Sequence, residues 1–417
     1  MSISKGRLIR GLLYIALLVV LLVGGLFAVA FAVTLGNPAE APIDLTYSGI
    51  VKGISEGNLV SMIIWVLMDF TEAQFWSSAF ATLGLFIGAF VAHILDRRNS
   101  KYAGFNICYG THLWPHVFAA QILTALVSNI AYIRLVPLLG WWPTFVAIVS
   151  APIAVVFKTK GNWKYILPSI IIGGLYTPAL ARAIWMTLSA IVPKVGVVVV
   201  IGNVAAMAVI SWMLLEILYR LPGSPTATPA SNPSKETKVE EKDPPSKPTF
   251  GVIWFVRRVL ADFTEPQFYG NEWATIGFFI GGILTWFLIP EHQFYGVKWW
   301  PFVFAMQLLT VSVGILLYRH QYMKLGWFPT FVPAVSLVPG NTLFYVAGGY
   351  PDWVIIQAGL INAVLGGILG GPIAQFINDR LPPHQHPVVG NTASMAITTF
   401  LSTLVTSFLL LYPWRIA

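Results

Sequence analysis

The chain has 417 residues, of which 56% are hydrophobic and only 10% charged, with a formal net charge of +8. A soluble domain carries about 25% charged residues, so this composition and a mean hydropathy of +0.73 exclude an ordinary soluble globule and point to a polytopic membrane protein. The positive excess then belongs to orienting loops and not to a nucleic-acid surface, and a single cysteine, Cys108, excludes an internal disulfide framework and a thiolate-built metal site.

Eleven apolar stretches suit the roughly 17–25 residues that cross a hydrocarbon core of about 30 Å. The first, near 11–34, follows Lys5, Arg7 and Arg10. It is far longer than the roughly 7–15-residue core of a signal peptide and reads as a retained helix, with cleavage after "AVA" or "AEA" as the alternative. The others lie near 75–95, 113–133, 141–157, 165–190, 195–218, 273–289, 299–318, 327–347, 353–377 and 388–411. Between the sixth and seventh, "PGSPTATPASNPSKETKVEEKDPPSKPT" holds seven prolines, four lysines and four acidic residues. Nothing in it can build a core, so it reads as a disordered linker.

The linker separates two copies of one sequence. "DFTEAQF" from Asp69 returns as "DFTEPQF" from Asp262, six of seven residues identical. "WPHVFAAQILT" (114–124) matches "WPFVFAMQLLT" (300–310) at eight of eleven positions. "GWWPTFV" (140–146) matches "GWFPTFV" (326–332), and "GNVAAMA" (202–208) matches "GNTASMA" (390–396). The order is conserved, and the offset moves only from 193 to 186 to 188. Each copy holds five spans, an odd number, and the linker cannot cross the bilayer, so the copies should be inverted relative to each other. The stretches before each "DFTE" are too short or too charged to span, and read as amphipathic interfacial helices.

With a cytoplasmic N-terminus, the inside loops collect Arg97, Arg98 and Lys101; Lys158, Lys160 and Lys164; Arg257 and Arg258; Arg319 and Lys324; and Arg380. The outside loops hold only Lys52, Arg134, Lys194, Lys298 and Arg415. That bias favours inversion and a cytoplasmic linker in a protein of the plasma membrane. The expectation is an all-α integral membrane protein of about 11 transmembrane helices, made of two inverted five-helix repeats and one N-terminal helix. Its parts are 1–36 (N-terminal transmembrane helix), 50–220 (first repeat), 221–250 (cytoplasmic linker) and 251–415 (second repeat).

The doubled phrase has two readings. Thr71 with Gln74, and Thr264 with Gln267, fit the capping box that starts a helix, with Gly84/Gly88 and Gly277/Gly281 in the following spans offering close-packing surfaces. Alternatively, Asp69 and Glu72 at the outer mouth, with Asp262 and Glu265 at the inner one, act as gates. Inverted repeats that hold a site at mid-membrane usually build it from broken helices. The matching breaks are "VSAP", with Ser150 and Pro152, and "VSLVPGN", with Ser336, Pro339 and Asn341. Gln121 and Gln307, and Asn203 and Asn391, are paired amides that serve either as interhelical ties or as solute ligands. Arg182 is a basic side chain well inside a span and would suit an anionic group.

No predicted span carries a central carboxylate, which disfavours a buried proton relay, and the chain has no phosphate-binding "GxxxxGK[ST]" motif. His112 and His116 are four apart, and His384 and His386 form "HQH", but neither pair has acidic neighbours at ligand spacing. The reading is therefore a non-enzymatic secondary transporter or facilitator of a small anionic or zwitterionic solute, working by alternating access without cofactor or metal. A channel or lipid translocase is the alternative, and a membrane metalloenzyme a weaker one. The bilayer and the solute are the expected partners; a coupling ion such as sodium and homo-oligomerisation are compatible with the sequence, and nucleic acid is not expected.

Overall fold

Apolar segments in a membrane must satisfy their backbone groups internally, which makes the helix the default element. The computed structural model describes residues 43–191, 195–224, 250–325, 327–330 and 336–411. It is 78% helix, with no strand among the described residues. The first copy contains α1 (Tyr47–Ser55), α2 (Leu59–Glu72), α3 (Ala79–Arg97), α4 (Trp114–Tyr132), α5 (Val136–Leu139), α6 (Ala151–Lys158), α7 (Trp163–Ile191) and α8 (Val195–Arg220). The second contains α9 (Val252–Phe263), α10 (Glu272–Leu288), α11 (Trp300–Leu317), α12 (Arg319–Leu325), α13 (Leu337–Ala347), α14 (Asp352–Asn378) and α15 (Val388–Leu411).

Among the described residues, seven helices are long and apolar enough to cross a membrane, against the eleven spans expected over the whole chain. The shortfall has identifiable causes. The stretch 11–34 lies outside the described residues, as does 225–249 of the linker. At 17 residues, α10 reaches only about 25 Å at 1.5 Å per residue. The expected 141–157 span is broken: a 3-10 turn over Thr144–Ala147 ends before Ser150, whose φ of −137° and ψ of −122° are not helical, and α6 starts afresh at Ala151. In the expected 327–347 span, 327–330 are not helical, 331–335 lie outside the described residues, and a helix starts at Leu337. Pro152 and Pro339 both fall in the first turn of the restarted helix, where a missing N–H breaks no helical hydrogen bond.

The halves are joined along α3 and α10, through the glycines singled out in the sequence. A Cβ on Gly84 would sit 2.0 Å from the Gly277 carbonyl oxygen, and one on Gly277 would sit 2.0 Å from that of Gly84. Gly88 and Gly281 are equally close to the backbone of Trp273 and Phe80, at 2.1 and 2.2 Å. Only glycine lets two helices approach this closely.

The capping-box reading of "DFTE" is corrected. Thr71 lies inside α2, and Ser78, not Thr71, caps α3 by accepting from the Ala81 N–H. In the second copy Asn271 caps α10, accepting from Trp273 and Ala274. The phrase ends one helix instead of starting the next, because Ser78 and Asn271 have better-placed oxygens and the glutamines are drawn elsewhere. Nor do α2 and α9 lie wholly at an interface: Leu59 and Val252 at their starts are 68% and 80% exposed, while Asp69, Glu72 and Asp262 at their ends are buried in the core.

The start of α3 is also held from the other copy. His292, in the loop after α10, accepts from the Ala79 N–H at Nε2 (3.2 Å), and its Nδ1 bonds the Leu45 carbonyl at 2.7 Å. These bonds need a neutral ring, and burial lowers its pKa from 6.5 to about 4. Between those values the unfolded chain binds the extra proton and the folded one does not. Stability should therefore fall as pH drops from about 6.5 towards 4, by up to about 1.4 kcal/mol per unit. A His292→Gln protein should lose this part of the pH dependence of its melting temperature, and an unchanged profile would remove His292 from the account.

Candidate functional site

The two copies of the phrase meet in the core. Gln74 Nε2 donates to Gln267 Oε1 at 2.8 Å, and Gln267 Nε2 donates to Gln74 Oε1 at 2.7 Å. Each also donates to the opposite copy's helix end, Gln74 to the Phe263 carbonyl and Gln267 to that of Phe70, both at 2.8 Å. Gln121 and Gln307 add a second layer: their Nε2 atoms donate to the Gln267 and Gln74 carbonyls, and their oxygens accept from the Tyr269 hydroxyl and the Trp76 indole. All four glutamines are fully buried and bonded within the protein, so Gln121 and Gln307 act as ties between the copies, and neither lines the cavity described below.

Around this centre the backbone is unusual at matching places. Phe75 and Phe268 have φ of 61° and 64°, and Tyr109 and Tyr295, in "CYG" and "FYG", have φ of 58° and 59°. Left-handed conformations at bulky residues persist only where the surroundings impose them. Here the imposing contacts again cross between copies: the Cys108 N–H donates to the Tyr269 carbonyl, and the Phe294 N–H to that of Trp76, both at 3.0 Å. The geometry aims each tyrosine at the other copy's glutamate. The Tyr109 hydroxyl donates to Glu265 Oε2 at 2.6 Å, and the Tyr295 hydroxyl donates to Glu72 Oε1. Sequence reasoning missed both tyrosines, although the 186-residue offset of the "WP" helices also aligns "YGTHLWP" with "YGVKWWP".

The aspartates anchor the broken segments. Asp69 accepts from the Thr144 hydroxyl (2.9 Å) and from Asn129 Nδ2 (2.7 Å). Asp262 accepts from the matching Thr330, pairs with Arg258, and lies 3.3 Å from the Tyr322 hydroxyl. Asp69, Glu72, Asp262 and Glu265 are 4, 4, 0 and 2% exposed. Each is wrapped by donors from neighbouring helices.

The two ends then diverge. Beside Glu72 the described residues pack closely: the Trp141 indole donates to Glu72 Oε1 at 2.9 Å and Ser77 bonds Oε2. Trp141 also packs against Trp185 and Tyr295, with ring centroids 5.7 and 6.5 Å apart. Tyr47 covers Tyr295 at 5.6 Å, and its hydroxyl donates to the Gly140 carbonyl. Beside Glu265 a cavity of about 870 Å³ extends instead. Trp327, which takes the place of Trp141 in the second copy, lines it. Asn203 with Asn391, Met207 with Met395, and Phe75 with Phe268 bring equivalent residues of both copies to its walls. Its outer parts include the exposed Thr111, Lys160, Asp379 and Pro383.

Of the expected solute ligands, Ser336, Asn203 and Asn391 line the cavity. Asn391 Oδ1 accepts from Asn378 Nδ2 at 3.0 Å. Ser150, Pro152 and Pro339 are buried outside its lining, and Asn341 is spent on Thr403 and the Leu337 carbonyl. Arg182 is not among the lining residues; its guanidinium lies 4.0 Å from the ring centre of Trp185 and 5.6 Å from that of Trp142. Trp185 on α7 and Trp142 in the broken segment capture it.

The histidines disperse. His112 Nδ1 bonds Asp96 at 3.1 Å, His116 stacks on Trp163, His384 bonds Glu216 at 2.7 Å, and His386 stacks on Phe157. Among the described residues no three His, Cys, Asp or Glu side chains gather as a metal cluster would.

No protein-family model matches the chain, and no curated protein matches it. The helices place it in a class on physical grounds alone: an all-helical protein, with seven helices long and apolar enough to cross a membrane.

Proposed function

We propose that the chain is a carrier that moves a small polar solute across the cytoplasmic membrane by alternating access. In this reading the two copies are inverted repeats that rock against each other around the glutamine centre, and an N-terminal helix completes eleven spans. One observation carries it: a cavity of about 870 Å³, bounded by equivalent residues of both copies, extends beside Glu265, while among the described residues the equivalent Glu72 is enclosed by Trp141, Ser77 and Tyr295. Two copies in opposed orientations can exchange these roles, and exchange of roles is what alternating access requires. The open end lies among Lys158, Lys160 and the 379–387 loop, the side to which the Lys and Arg bias assigns the cytoplasm. An 870 Å³ cavity is within the roughly 300–1,000 Å³ of small-molecule sites. A cation such as sodium is a candidate for coupling.

Proteoliposomes test this directly. Vesicles preloaded with single amino acids, organic acids, sugars or nucleosides should transiently accumulate the matching labelled solute by counterflow. Ser336→Leu, which fills the cavity, should cut that uptake at least about tenfold with little change in melting temperature. Asn341→Leu, outside the cavity, should instead lower stability by about 1 kcal/mol through its lost hydrogen bonds. Saturation without counterflow, or linear flux, would make the protein a channel, and movement of labelled phospholipid alone would make it a lipid translocase.

A further inference from the structure

We infer that the cavity is built for an uncharged solute bearing hydroxyl or amide groups on an apolar body, not for an anion or zwitterion. The inference rests on this cavity being the carrier's binding site, and its ground is which polar groups are left for a ligand. Asn203, on α8, is only 2% exposed, lines the cavity, and has no partner among the described residues for either amide atom. That holds whichever way the amide is turned. The Ser336 hydroxyl and Gln385 Oε1 are equally buried, also line the cavity, and are also unpartnered. Buried polar groups are nearly always satisfied. Three unsatisfied ones around one cavity, from α8, the start of α13 and the 381–387 loop, mark where a ligand's hydrogen-bonding groups belong.

The charges tell the opposite story. Glu265 lines the cavity, and both its oxygens are taken: Arg258 pairs with Oε1 at 2.5 Å and the Tyr109 hydroxyl donates to Oε2 at 2.6 Å. Lys158 donates to the Pro383 carbonyl at 3.1 Å, and Lys160 and Asp379 are on exposed loops. Arg182, the cation that favoured an anionic solute, is stacked on tryptophan instead. An ionised ligand at Asn203 would leave water without gaining a countercharge, which is costly in a protein interior. A hydroxyl or amide would exchange water for Asn203, Ser336 and Gln385, and its apolar part would meet Phe75, Phe268, Met207 and Met395. Sites of this kind discriminate strongly, because a ligand lacking the polar group leaves the protein's own groups unpaired.

The full-length protein in detergent should be melted against matched pairs: nucleosides and their 5′-monophosphates, primary amides and the corresponding carboxylates, alcohols and the corresponding amines. A ligand that binds only the folded state raises the melting temperature. Shifts are expected with neutral members, and Asn203→Leu should weaken their binding at least about tenfold. Without ligand, Asn203→Leu should melt at or above the wild-type temperature, since its amide has no protein partner to lose; a purely structural asparagine would behave oppositely. If that variant does not fold, Ser336→Ala provides the same comparison. Stronger shifts with charged members, no shift with any neutral member, or neutral binding unchanged in the variant would each overturn the inference. Counterflow separates it from the transport reading. Exchange of a carboxylate solute would sink the inference and leave the carrier standing, whereas neutral binding without exchange would do the reverse.

Discussion

Gly84→Ala should cost about 3 kcal/mol or more, among the largest effects expected of one added methyl group. The new Cβ would lie 2.0 Å from the Gly277 carbonyl oxygen, and that oxygen is backbone, with no rotamer to escape into. The helices would have to part by more than about 1 Å to restore ordinary contact distances. Gly88, Gly277 and Gly281 lie along the same seam, so the separation cannot stay local. Size-exclusion recovery and melting temperature in detergent should both drop for Gly84→Ala and for Gly277→Ala. Gly251→Ala is the control: it has ordinary φ and open space around it, and should stay within about 0.5 kcal/mol of wild type. A Gly84→Ala protein as stable as that control would show that α3 and α10 are not locked as described.

The second large effect belongs to the closed end. Glu72 is held there by Tyr295, Trp141 and Ser77, and has no ion pair among the described residues. A buried hydrogen bond of this kind contributes about 1 kcal/mol, so, if the copies alternate as proposed, losing the Trp141 indole N–H should favour opening beside Glu72 by about fivefold. Ala73 lines the cavity close to Glu72 in sequence. In a Cys108→Ser, Ala73→Cys background, an impermeant maleimide should label the cysteine from the linker side only. Adding Trp141→Phe or Tyr295→Phe should produce labelling from the opposite side, faster by about fivefold. The matching change Trp327→Phe should not, because Trp327 borders the open cavity at the Glu265 end. Equal labelling in all variants would mean that this cluster does not close the path.

The same residues show how far the sequence could be read. Gly84, Gly88, Gly277 and Gly281 were legible because helical spacing puts residues four apart on one face and small residues permit contact. The broken spans were legible from serine and proline at corresponding points. The capping box was not: "TEAQ" satisfies the local pattern, but whether Gln74 bonds its own helix or a glutamine 193 positions away is decided by packing. Arg182 looked like a ligand because burial in a span is all a sequence can register; that α7 turns it onto Trp185 and not into the cavity is a matter of rotation about an axis. Asn203 and Asn341 were indistinguishable as amides beside glycine, and their surroundings set them apart.

The sequence by itself determined the apolar, membrane-type composition, the repeated phrases and the glycine seams, because composition, identity and periodicity are properties of the chain. Only the tertiary structure decided which polar groups are spent on the protein and which are left over. It also decided that Glu72 is enclosed while its copy Glu265 borders a cavity. Two identical phrases carry identical local preferences. What makes them differ is the packing of each against the rest of the molecule, and no local pattern contains that.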